Sequence, residues 1–278
     1  MVVLQKVAED RKLLIKEKIM KLKAGGLSFN VMETGDGSPA LLFLHYWGGS
    51  ARTWKVVISL LSADFRCIAY DQRGWGGSDA PPQGYSIRDL AVDANEILRA
   101  LGIQRYVLVG HSMGGKVAQF LAAQHPIGLE KLVLVAPATP TPQDIPEFAK
   151  QAQLHAYDNR ENALKALEFL TAQPPSDDLR EQIIADNFAA APAAKLAWPT
   201  LSAYEDISAE VGNIAVPTLI VAGDQDRQDP VEQHKREVLT RIPGAKMQII
   251  QNCGHLIPID QPEQLADAIR AFILTGSQ

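Results

Sequence analysis

Residues 106–115 read Tyr-Val-Leu-Val-Gly-His-Ser-Met-Gly-Gly, an apolar run that ends in a glycine and leads into a serine flanked by small residues. The run predicts a buried strand, and a helical pattern begins after Ser112. Gly110-His111-Ser112-Met113-Gly114 matches G-x-S-x-G, in which a serine occupies a sharp strand-to-helix turn. Because such a turn is crowded, small residues are needed two positions before and after the serine. The following helix would direct its N-terminal N–H groups toward the hydroxyl.

The same stretch also begins as a phosphate-binding loop does. Gly110 to Lys116 fits G-x-x-x-x-G-K, but the next residue is Val117. A phosphate-binding loop needs serine or threonine there to ligate Mg²⁺, and valine has no oxygen to offer. The sequence therefore favours a serine nucleophile over nucleotide binding.

Short apolar runs alternate with helical patterns along most of the chain. Nearly all-apolar runs of this kind are typical of strands buried on both faces, as in a parallel sheet. The runs are Leu41–Leu44, Cys67–Tyr70, Tyr106–Val109, Leu132–Val135 and Leu219–Ala222. Their alternation with helices predicts βαβ units, with helices on both faces of the sheet.

Two further patterns predict where individual elements begin and end. A helix is expected to start at Ser86, where Asp89 forms a variant of the capping box, and to stop at Gly102. Upstream, Ile19–Lys23 and Leu27–Glu33 predict two strands that form an antiparallel edge of the sheet.

The alternation of strands and helices stops after Val135. Four prolines lie within residues 136–146, and an alanine-rich helical pattern follows until the sheet pattern resumes at Pro217. The chain is therefore predicted to contain a basic helical extension, a core in two parts and a helical lid: residues 1–18, 19–138 with 215–278, and 139–214. The aromatic residues of this insertion are expected to pack within it, with one or two of them lining a pocket: Phe148, Phe169, Trp198 and Tyr204.

The composition excludes several classes of function. The chain has 278 residues, 46% of them hydrophobic, and a formal charge of −5, which is unlike the basic surface of a nucleic-acid-binding protein. Its two cysteines, Cys67 and Cys253, are too few for a disulfide framework and indicate a cytoplasmic setting. No apolar run reaches the roughly 18–20 residues of a membrane helix, and the scattered N-terminal charges are unlike a signal peptide. The composition gives no indication of an oligomeric state.

A serine hydroxyl is a weak nucleophile until a base takes its proton, so a histidine is required nearby. Of the six histidines, His255 lies in a loop directly after the last predicted strand, Met247–Ile250. In the chain order serine, acid, histidine, this is where the base belongs. The acid is expected after the preceding strand, where Asp224, Asp226 and Asp229 are all candidates. Asp224 suits a turn and Asp229 a helix cap, so Asp226 is the preferred choice.

Together these patterns resemble the α/β-hydrolase superfamily, and within it the lidded serine esterases, perhydrolases and non-haem haloperoxidase-like proteins. The resemblance runs from about Ile19 to Ile273. Besides the serine turn, it rests on three stretches: His45-Tyr46-Trp47-Gly48-Gly49, Asp71-Gln72-Arg73-Gly74-Trp75-Gly76-Gly77-Ser78, and Gly254-His255. It implies an α/β-hydrolase fold with a mostly parallel sheet, a helical lid, and a catalytic triad of Ser112, His255 and Asp226. The Asp71–Ser78 turn is expected to be scaffold.

The resemblance also implies an oxyanion hole built from two backbone N–H groups. One belongs to Met113, the residue after the nucleophile, and the other falls by position on Trp47. Members of the family usually have glycine where this chain has Tyr46, so we expect Tyr46 to contact the substrate. Ser112 is unlike the aspartate that haloalkane dehalogenase-like and epoxide hydrolase-like members carry at this turn. The sequence contains no metal constellation and no dinucleotide fingerprint, so no cofactor is expected.

The expected activity is hydrolysis of a small-molecule substrate, namely a carboxylic ester or lactone, with amides as a further class. Two alternatives remain open. One is acyl transfer to hydrogen peroxide by the same three residues. The other is a small-molecule receptor or a lyase built on the same fold, since a fold does not determine an activity.

Overall fold

The computed structural model describes residues 17–275. Residues 1–16 of the helical extension predicted for residues 1–18 lie outside this range, and Lys18 belongs to the first strand, so the extension ends before it. The strands are β1 Lys18–Ala24, β2 Leu27–Thr34, β3 Ala40–Leu44, β4 Arg66–Tyr70, β5 Tyr106–His111, β6 Leu129–Val135, β7 Thr218–Gly223 and β8 Lys246–Ile250. The α-helices are α1 Lys55–Leu61, α2 Ile87–Ala100, α3 Met113–Ala123, α4 Glu147–Leu154, α5 Arg160–Leu170, α6 Asp177–Ala189, α7 Pro192–Thr200, α8 Val231–His234, α9 Ile257–Asp260 and α10 Pro262–Leu274. Short 3-10 helices lie at Ala51–Trp54, Ser202–Tyr204 and Val211–Asn213, and α8 continues as a π-helical segment, Lys235–Leu239.

The strands of the described chain form one sheet in the order β1-β2-β4-β3-β5-β6-β7-β8. β1 pairs with β2, and β2 with β4, in antiparallel orientation. The other neighbouring strands are parallel. Every run predicted as a buried strand is a strand, and the two early strands form the predicted antiparallel edge. The predicted mostly parallel α/β sheet is therefore confirmed.

Helices cover both faces of the sheet. Successive side chains of a strand point to opposite sides, so each strand packs against both layers of helices. In β3, Leu42 and Leu44 belong to the apolar cluster that includes α2 and α3. Leu41 and Phe43 belong to the cluster that includes α1 and α10. Strand β3 therefore has an apolar residue at every position, as a strand buried on both faces requires.

Helix α2 has the ends that its sequence predicts. Ser86 accepts a hydrogen bond from the backbone N–H of Asp89, and the Asp89 carboxylate accepts one from the backbone N–H of Ser86. Gly102 follows the helix with a φ of +65°, a value that favours glycine over other residues.

The parallel register brings the carboxyl ends of the strands to one edge of the sheet. Leu44 at the end of β3 pairs with Gly110 of β5, and Gly223 at the end of β7 pairs with Ile250 at the end of β8. Loops at this edge of an open parallel sheet form its binding crevice. They carry the residues that the sequence singles out: Trp47, Ser112, Asp226 and His255.

The segment between β6 and β7, called the insertion below, forms helices α4 to α7. None of the residues of α4 is buried, and its side chains line a cavity that also contains Ser112. Phe148 and Phe169 are 77% and 44% exposed and line this cavity, as does Trp198, so three aromatic residues of the insertion line it where one or two were expected. Helical spacing predicts which face of a helix is apolar, but not whether that face covers packed side chains or an open space.

The turn Asp71–Ser78 is held by hydrogen bonds to its own backbone and to neighbouring segments. Asp71 Oδ1 accepts, at 2.8 Å, the N–H of Ala51, the first residue of the 3-10 helix that ends the loop after β3. Its Oδ2 accepts the N–H of Gly77 at 2.8 Å and the side chain of Asn30 in β2 at 3.0 Å. The turn therefore joins β2 to the loop after β3, which is a scaffold role.

The same turn contains a buried ion pair between Arg73 and Asp93 of α2. The guanidinium contacts both carboxylate oxygens, and only 12% and 4% of the two side chains are exposed. We expect Arg73→Met to lower the free energy of unfolding by about 3–5 kcal/mol, because it leaves the Asp93 carboxylate buried without its partner. Urea-induced unfolding measures this change.

Arg99→Met is the matched control, since Arg99 pairs with Glu96 on the same helix but with side-chain exposures of 71% and 28%. Water screens this pair, so its loss should cost below about 0.5 kcal/mol. Equal losses of stability in the two variants would contradict the scaffold role of the buried pair.

Candidate active site

Ser112 lies on a strained turn between β5 and α3. Its φ of +53° and ψ of −115° are values that residues other than glycine rarely adopt. A Cβ atom on Gly110 would overlap the carbonyl oxygen of Gly114, and one on Gly114 would lie 2.6 Å from that of Leu44. This crowding is the physical reason for the small residues of the G-x-S-x-G pattern.

The structure brings Ser112, His255 and Asp226 into one chain of hydrogen bonds. The distance from Ser112 Oγ to His255 Nε2 is 2.8 Å, and the distance from His255 Nδ1 to Asp226 Oδ2 is 2.9 Å. An ionised carboxylate can only accept, so Nδ1 carries the proton and Nε2 is left to accept the serine hydroxyl. All three side chains are buried. In this geometry an imidazole can take a proton from the serine.

Of the three aspartates after β7, all in the described range, Asp226 is the one that hydrogen-bonds to His255. Asp224 is exposed and accepts a backbone N–H from the loop that precedes His255. Asp229 Oδ2 lies 3.9 Å from His255 Nδ1, and the other Asp229 oxygen accepts the Gln233 side chain at 2.7 Å. A second carboxylate thus stands close to the imidazole without binding it.

Burial and neighbouring charges act in opposite directions on the pKa values of this cluster. Burial lowers the pKa of His255, but the charge and hydrogen bond of Asp226, together with the charge of Asp229, raise it above its ordinary value. Burial would raise the pKa of Asp226, but His255 and the backbone N–H of Asp229 hold it below its ordinary value. Burial raises the pKa of Asp229 to about 7. The surroundings therefore stabilise a protonated His255, chiefly through Asp226.

The loop after β3 holds one peptide group in a defined orientation. His45 Nε2 accepts the N–H of Gln72 at 3.0 Å, so Nδ1 carries the proton and donates to the Tyr46 carbonyl at 2.7 Å. Burial lowers the pKa of His45 to about 4, so the ring is neutral at neutral pH. The N–H of Gly49 binds the same carbonyl at 3.0 Å. Since the C=O and N–H of a trans peptide point in opposite directions, the Trp47 N–H is directed away from the His45 ring.

The other N–H group expected to line an oxyanion hole belongs to Met113, the first residue of α3. The first N–H groups of a helix have no partner within it, and the helix dipole adds positive potential there. Trp47 and Ser112 line the same cavity. Both expected donors therefore lie in backbone segments that adjoin the serine or share its cavity.

Side chains of the insertion hydrogen-bond to the backbone of the loop after β3. The Tyr157 hydroxyl donates to the Trp47 carbonyl at 3.0 Å, and the Asn187 side chain donates to the Gly48 carbonyl at 2.6 Å. Sequence reasoning missed Tyr157 and Asn187, which lie 110 and 139 residues along the chain from their partners. Neither residue belongs to a motif that could have indicated it.

Tyr46 stands where the family resemblance predicts glycine. Its φ is not positive, so the backbone here does not require glycine. The buried side chain packs against Leu167 and Ile183 of the insertion and against Leu256, and it lines the cavity. Tyr46 therefore forms part of the contact between the sheet edge and the insertion.

A cavity of about 900 Å³ lies between this edge and the insertion, with Ser112 and His255 in its wall. Its volume falls in the range of roughly 300–1,000 Å³ that is typical of small-molecule sites. Most of the lining is apolar and much of it comes from α4 and α5. Among the polar side chains in the wall are Lys116, Thr139, Gln143 and Asp229.

Within residues 17–275, no group of three or more His, Cys, Asp or Glu side chains is placed to hold a metal ion. In the same part of the chain, no helix is long and apolar enough to cross a membrane. Cys67 and Cys253 are buried and do not form a disulfide.

Three comparisons relate the chain to known proteins. A protein of Pseudomonas syringae pv. syringae (strain B728a) named as the carbamate hydrolase RutD is 31% identical over 253 residues, which cover 86% of this chain and 95% of that protein. A protein of Synechocystis sp. (strain ATCC 27184 / PCC 6803 / Kazusa) named as a non-heme chloroperoxidase is 31% identical over 257 residues, covering 87% and 93%. The solved structure of the esterase EaEST from Exiguobacterium antarcticum matches with a TM-score of 0.83 at 25% identity, covering 91% and 98%.

A family model also matches most of the chain. It is described as the alpha/beta hydrolase family and covers residues 41–268, which include the serine turn and the loops of Asp226 and His255. The sheet order and its parallel register agree with this match. The chain therefore belongs to the alpha/beta hydrolase family.

Proposed function

We propose that the protein is a serine hydrolase that cleaves small carboxylic esters or lactones through an acyl-enzyme. The observation that carries this proposal is the hydrogen-bonded chain from Ser112 through His255 to Asp226, with distances of 2.8 and 2.9 Å. Membership of the alpha/beta hydrolase family and the likeness to an esterase structure support it. The roles of the individual residues are part of the proposal.

In the proposed mechanism, His255 Nε2 takes the proton of Ser112 while Oγ attacks the carbonyl carbon of the ester. The same nitrogen then gives this proton to the departing alcohol, and the acyl group stays on Ser112. Water, deprotonated by His255, attacks the acyl-enzyme; the acid is released, and His255 returns the proton to Ser112 Oγ. Asp226 holds the Nδ1–H tautomer and stabilises the imidazolium in both steps.

Negative charge develops on the carbonyl oxygen in both attacks. The N–H groups of Trp47 and Met113 are proposed to stabilise it, and the loss of one such donor costs roughly 10²–10³ in rate. The contacts of His45 and Gly49 with the Tyr46 carbonyl support this role, because they orient the Trp47 N–H before a substrate binds. A donor that is oriented in advance needs no reorganisation during the reaction.

The first test is turnover of p-nitrophenyl esters of increasing acyl length by the wild-type protein and by Ser112→Ala. We expect the wild type to cleave them and the variant to lose roughly 10⁶-fold in kcat, which brings it to background. A fluorophosphonate probe should label the wild type at Ser112, as read by mass spectrometry. Turnover that survives in Ser112→Ala would mean that another residue is the nucleophile, and labelling without turnover would favour a receptor or a lyase.

Acyl transfer to hydrogen peroxide is a second candidate, favoured by the relative that is named as a non-heme chloroperoxidase. The same acyl-enzyme would form, and peroxide would replace water in the second step. Adding peroxide to the ester assay separates the two candidates. A perhydrolase produces a peracid, which oxidises added bromide so that a dye is brominated. A hydrolase produces only the acid.

The assignment of Asp226 as the acid is tested by comparing kcat of two single variants, Asp226→Asn and Asp229→Asn. Asparagine at 226 can donate to Nδ1 and so favours the wrong imidazole tautomer, and we expect a loss of roughly 10⁴-fold in kcat. Asp229 does not hydrogen-bond to the ring, so its variant should lose less than about tenfold, a change below 1.4 kcal/mol in the barrier. Comparable losses in the two variants would contradict the assignment of Asp226.

The pH profile of kcat/KM gives an independent measurement. The reaction needs neutral His255, and the pKa of His255 is raised above its ordinary value, so activity should be lost as the pH falls through this raised pKa. Asp229→Asn removes one of the charges that raise this pKa, so the acid limb of its profile should move to lower pH. With a pKa of about 7, Asp229 is only partly ionised there, so the shift should be smaller than a full charge would give. An unchanged acid limb would mean that Asp229 carries no charge that acts on the imidazole in this pH range.

Tyr46 is proposed to limit the space for the acyl group, because its side chain lies between the insertion and the cavity. Tyr46→Gly should therefore shift the preference toward longer acyl chains by roughly tenfold in the ratio of kcat/KM values. Tyr46→Phe, which keeps the ring and loses the hydroxyl, should retain the wild-type ratio. If Tyr46→Gly left both rate and acyl preference unchanged, Tyr46 would have no role in substrate selection.

A further inference from the structure

Lys116 is a cation in the protein interior that the proposed mechanism does not use. It lies on α3, is 1% exposed, and lines the same cavity as Ser112 and His255. Lysine is rarely this buried unless an acid pairs with it, because removing the ammonium from water is costly. Its position therefore calls for a partner.

The partners that the protein supplies do not satisfy this ammonium. Its Nζ donates to the carbonyls of Thr141 and Ala203 at 3.2 and 3.3 Å, which are long hydrogen bonds to neutral groups. An ammonium has three donors, so one N–H is not used by these contacts. Among the residues the structure describes, no carboxylate lies within ion-pair distance of it.

Acidic groups do act on Lys116, but from a greater distance. Glu205, Asp206 and Asp229 all raise its pKa, while burial lowers it more strongly, to about 8. Glu205 accepts the N–H of Ile87, Asp206 binds Ser208, and Asp229 binds Gln233. With a pKa of about 8, Lys116 is mostly protonated at pH 7 and carries its charge in the cavity wall.

A second polar group in the same part of the wall has no partner. The backbone N–H of Gln143 binds the Ala203 carbonyl, which is also an acceptor of Lys116. The side-chain oxygen of Gln143 is buried and, within the described residues, makes no hydrogen bond. The oxygen and nitrogen of an amide are readily exchanged by rotation, so this side chain can present an N–H₂ donor in the cavity wall that it shares with Lys116.

The position of Lys116 on α3 relates it to the nucleophile. Ser112 precedes it by four residues, and the Lys116 N–H binds the Ser112 carbonyl at 3.0 Å, so the two residues are one helical turn apart. Both residues line the cavity. A molecule attached at Ser112 could therefore reach Lys116 with an arm of several bonds.

We propose that Lys116 binds a carboxylate carried by the substrate, with Gln143 as a second donor, so that the preferred esters bear a carboxylate some bonds from the scissile carbonyl. This inference rests on the proposed serine hydrolase function and names the substrate class. A carboxylate matches one ammonium and one amide in charge, whereas a phosphate dianion calls for more donors than this wall offers.

The test compares pairs of esters that differ only in one charge. On the acyl side, p-nitrophenyl monoesters of adipic, pimelic and suberic acids are paired with p-nitrophenyl alkanoates of the same carbon number. Shorter dicarboxylic monoesters are avoided because they cyclise and cleave without an enzyme. On the alcohol side, 4-acetoxybenzoate is paired with 4-acetoxybenzamide. For each pair, the measured quantity is the ratio of kcat/KM for the charged ester to that for the neutral ester.

We expect the wild type to prefer the charged member of at least one set. Lys116→Met should lower that ratio by roughly 10–100-fold, the value of a hydrogen bond to a charged group. Lys165→Met is the matched control: Lys165 also lines the cavity, but its side chain is 67% exposed and paired with Glu161. Since water screens that charge, its removal should leave the ratio close to the wild-type value.

The ratio distinguishes binding of a carboxylate from a merely structural role. Thr141 and Ala203 lie near the two ends of the insertion, so Lys116 also ties these ends together. If that were its whole role, Lys116→Met would slow the charged and neutral esters equally and the ratio would not move. A wild-type preference for the neutral member in both sets would likewise overturn the proposal. Lys116→Gln keeps an amide donor for the two carbonyls, and it replaces Lys116→Met in this measurement if the methionine variant does not fold.

A binding measurement separates this proposal from the proposed function. Calorimetric titration of Ser112→Ala with adipate, pimelate and suberate requires no turnover. We expect binding that is lost in Ser112→Ala/Lys116→Met and retained in Ser112→Ala/Lys165→Met. Failure of the wild type to cleave any ester, with such binding present, would overturn the hydrolase function alone. Absence of Lys116-dependent binding would overturn the carboxylate site alone.

Discussion

The close approach of helix α3 to strand β3 is the constraint on which the site depends. A Cβ atom at Gly114 would lie 2.6 Å from the Leu44 carbonyl, so the start of the helix nearly touches the end of the strand. This contact forces the strained backbone of Ser112, with its φ of +53°. The strain is retained because the surrounding sheet over-determines the turn. The result is a serine whose hydroxyl reaches His255 at 2.8 Å instead of packing into the core.

A second feature is that the insertion takes part in the geometry of the sheet edge. Tyr157 and Asn187 donate to the carbonyls of Trp47 and Gly48, while His45 orients the neighbouring peptide from the core side. The loop after β3 is thus held between the insertion on one side and the core of the sheet on the other. Movement of the insertion would therefore change both the space for a substrate and the orientation of the proposed oxyanion donor. The cavity and this loop form one structural unit.

Much of the fold could be predicted because its signals are local. Short apolar runs identified the buried strands, and Ser86 with Asp89 identified the start of α2, since strands and caps depend on neighbouring residues. The candidate site was predicted in the same way, as three residues that follow strand ends. The structure brings Ser112, His255 and Asp226 into contact, and their catalytic roles stay a prediction. Which aromatic residues of the insertion line the cavity could not be predicted, because helical spacing does not show what a helix face covers.

The sequence by itself determined the order of strands and helices along the chain, the crowded serine turn and the chemical types available at the strand ends. Only the tertiary structure decided that Asp226, at 2.9 Å, binds His255 while Asp229 stays at 3.9 Å. It also decided that Tyr157 and Asn187 hold the loop after β3, and that Lys116 lines the cavity. The physical reason is that these contacts join residues far apart in the chain. Their distances are set by the register of the parallel strands and by the packing of the insertion, which no local pattern encodes.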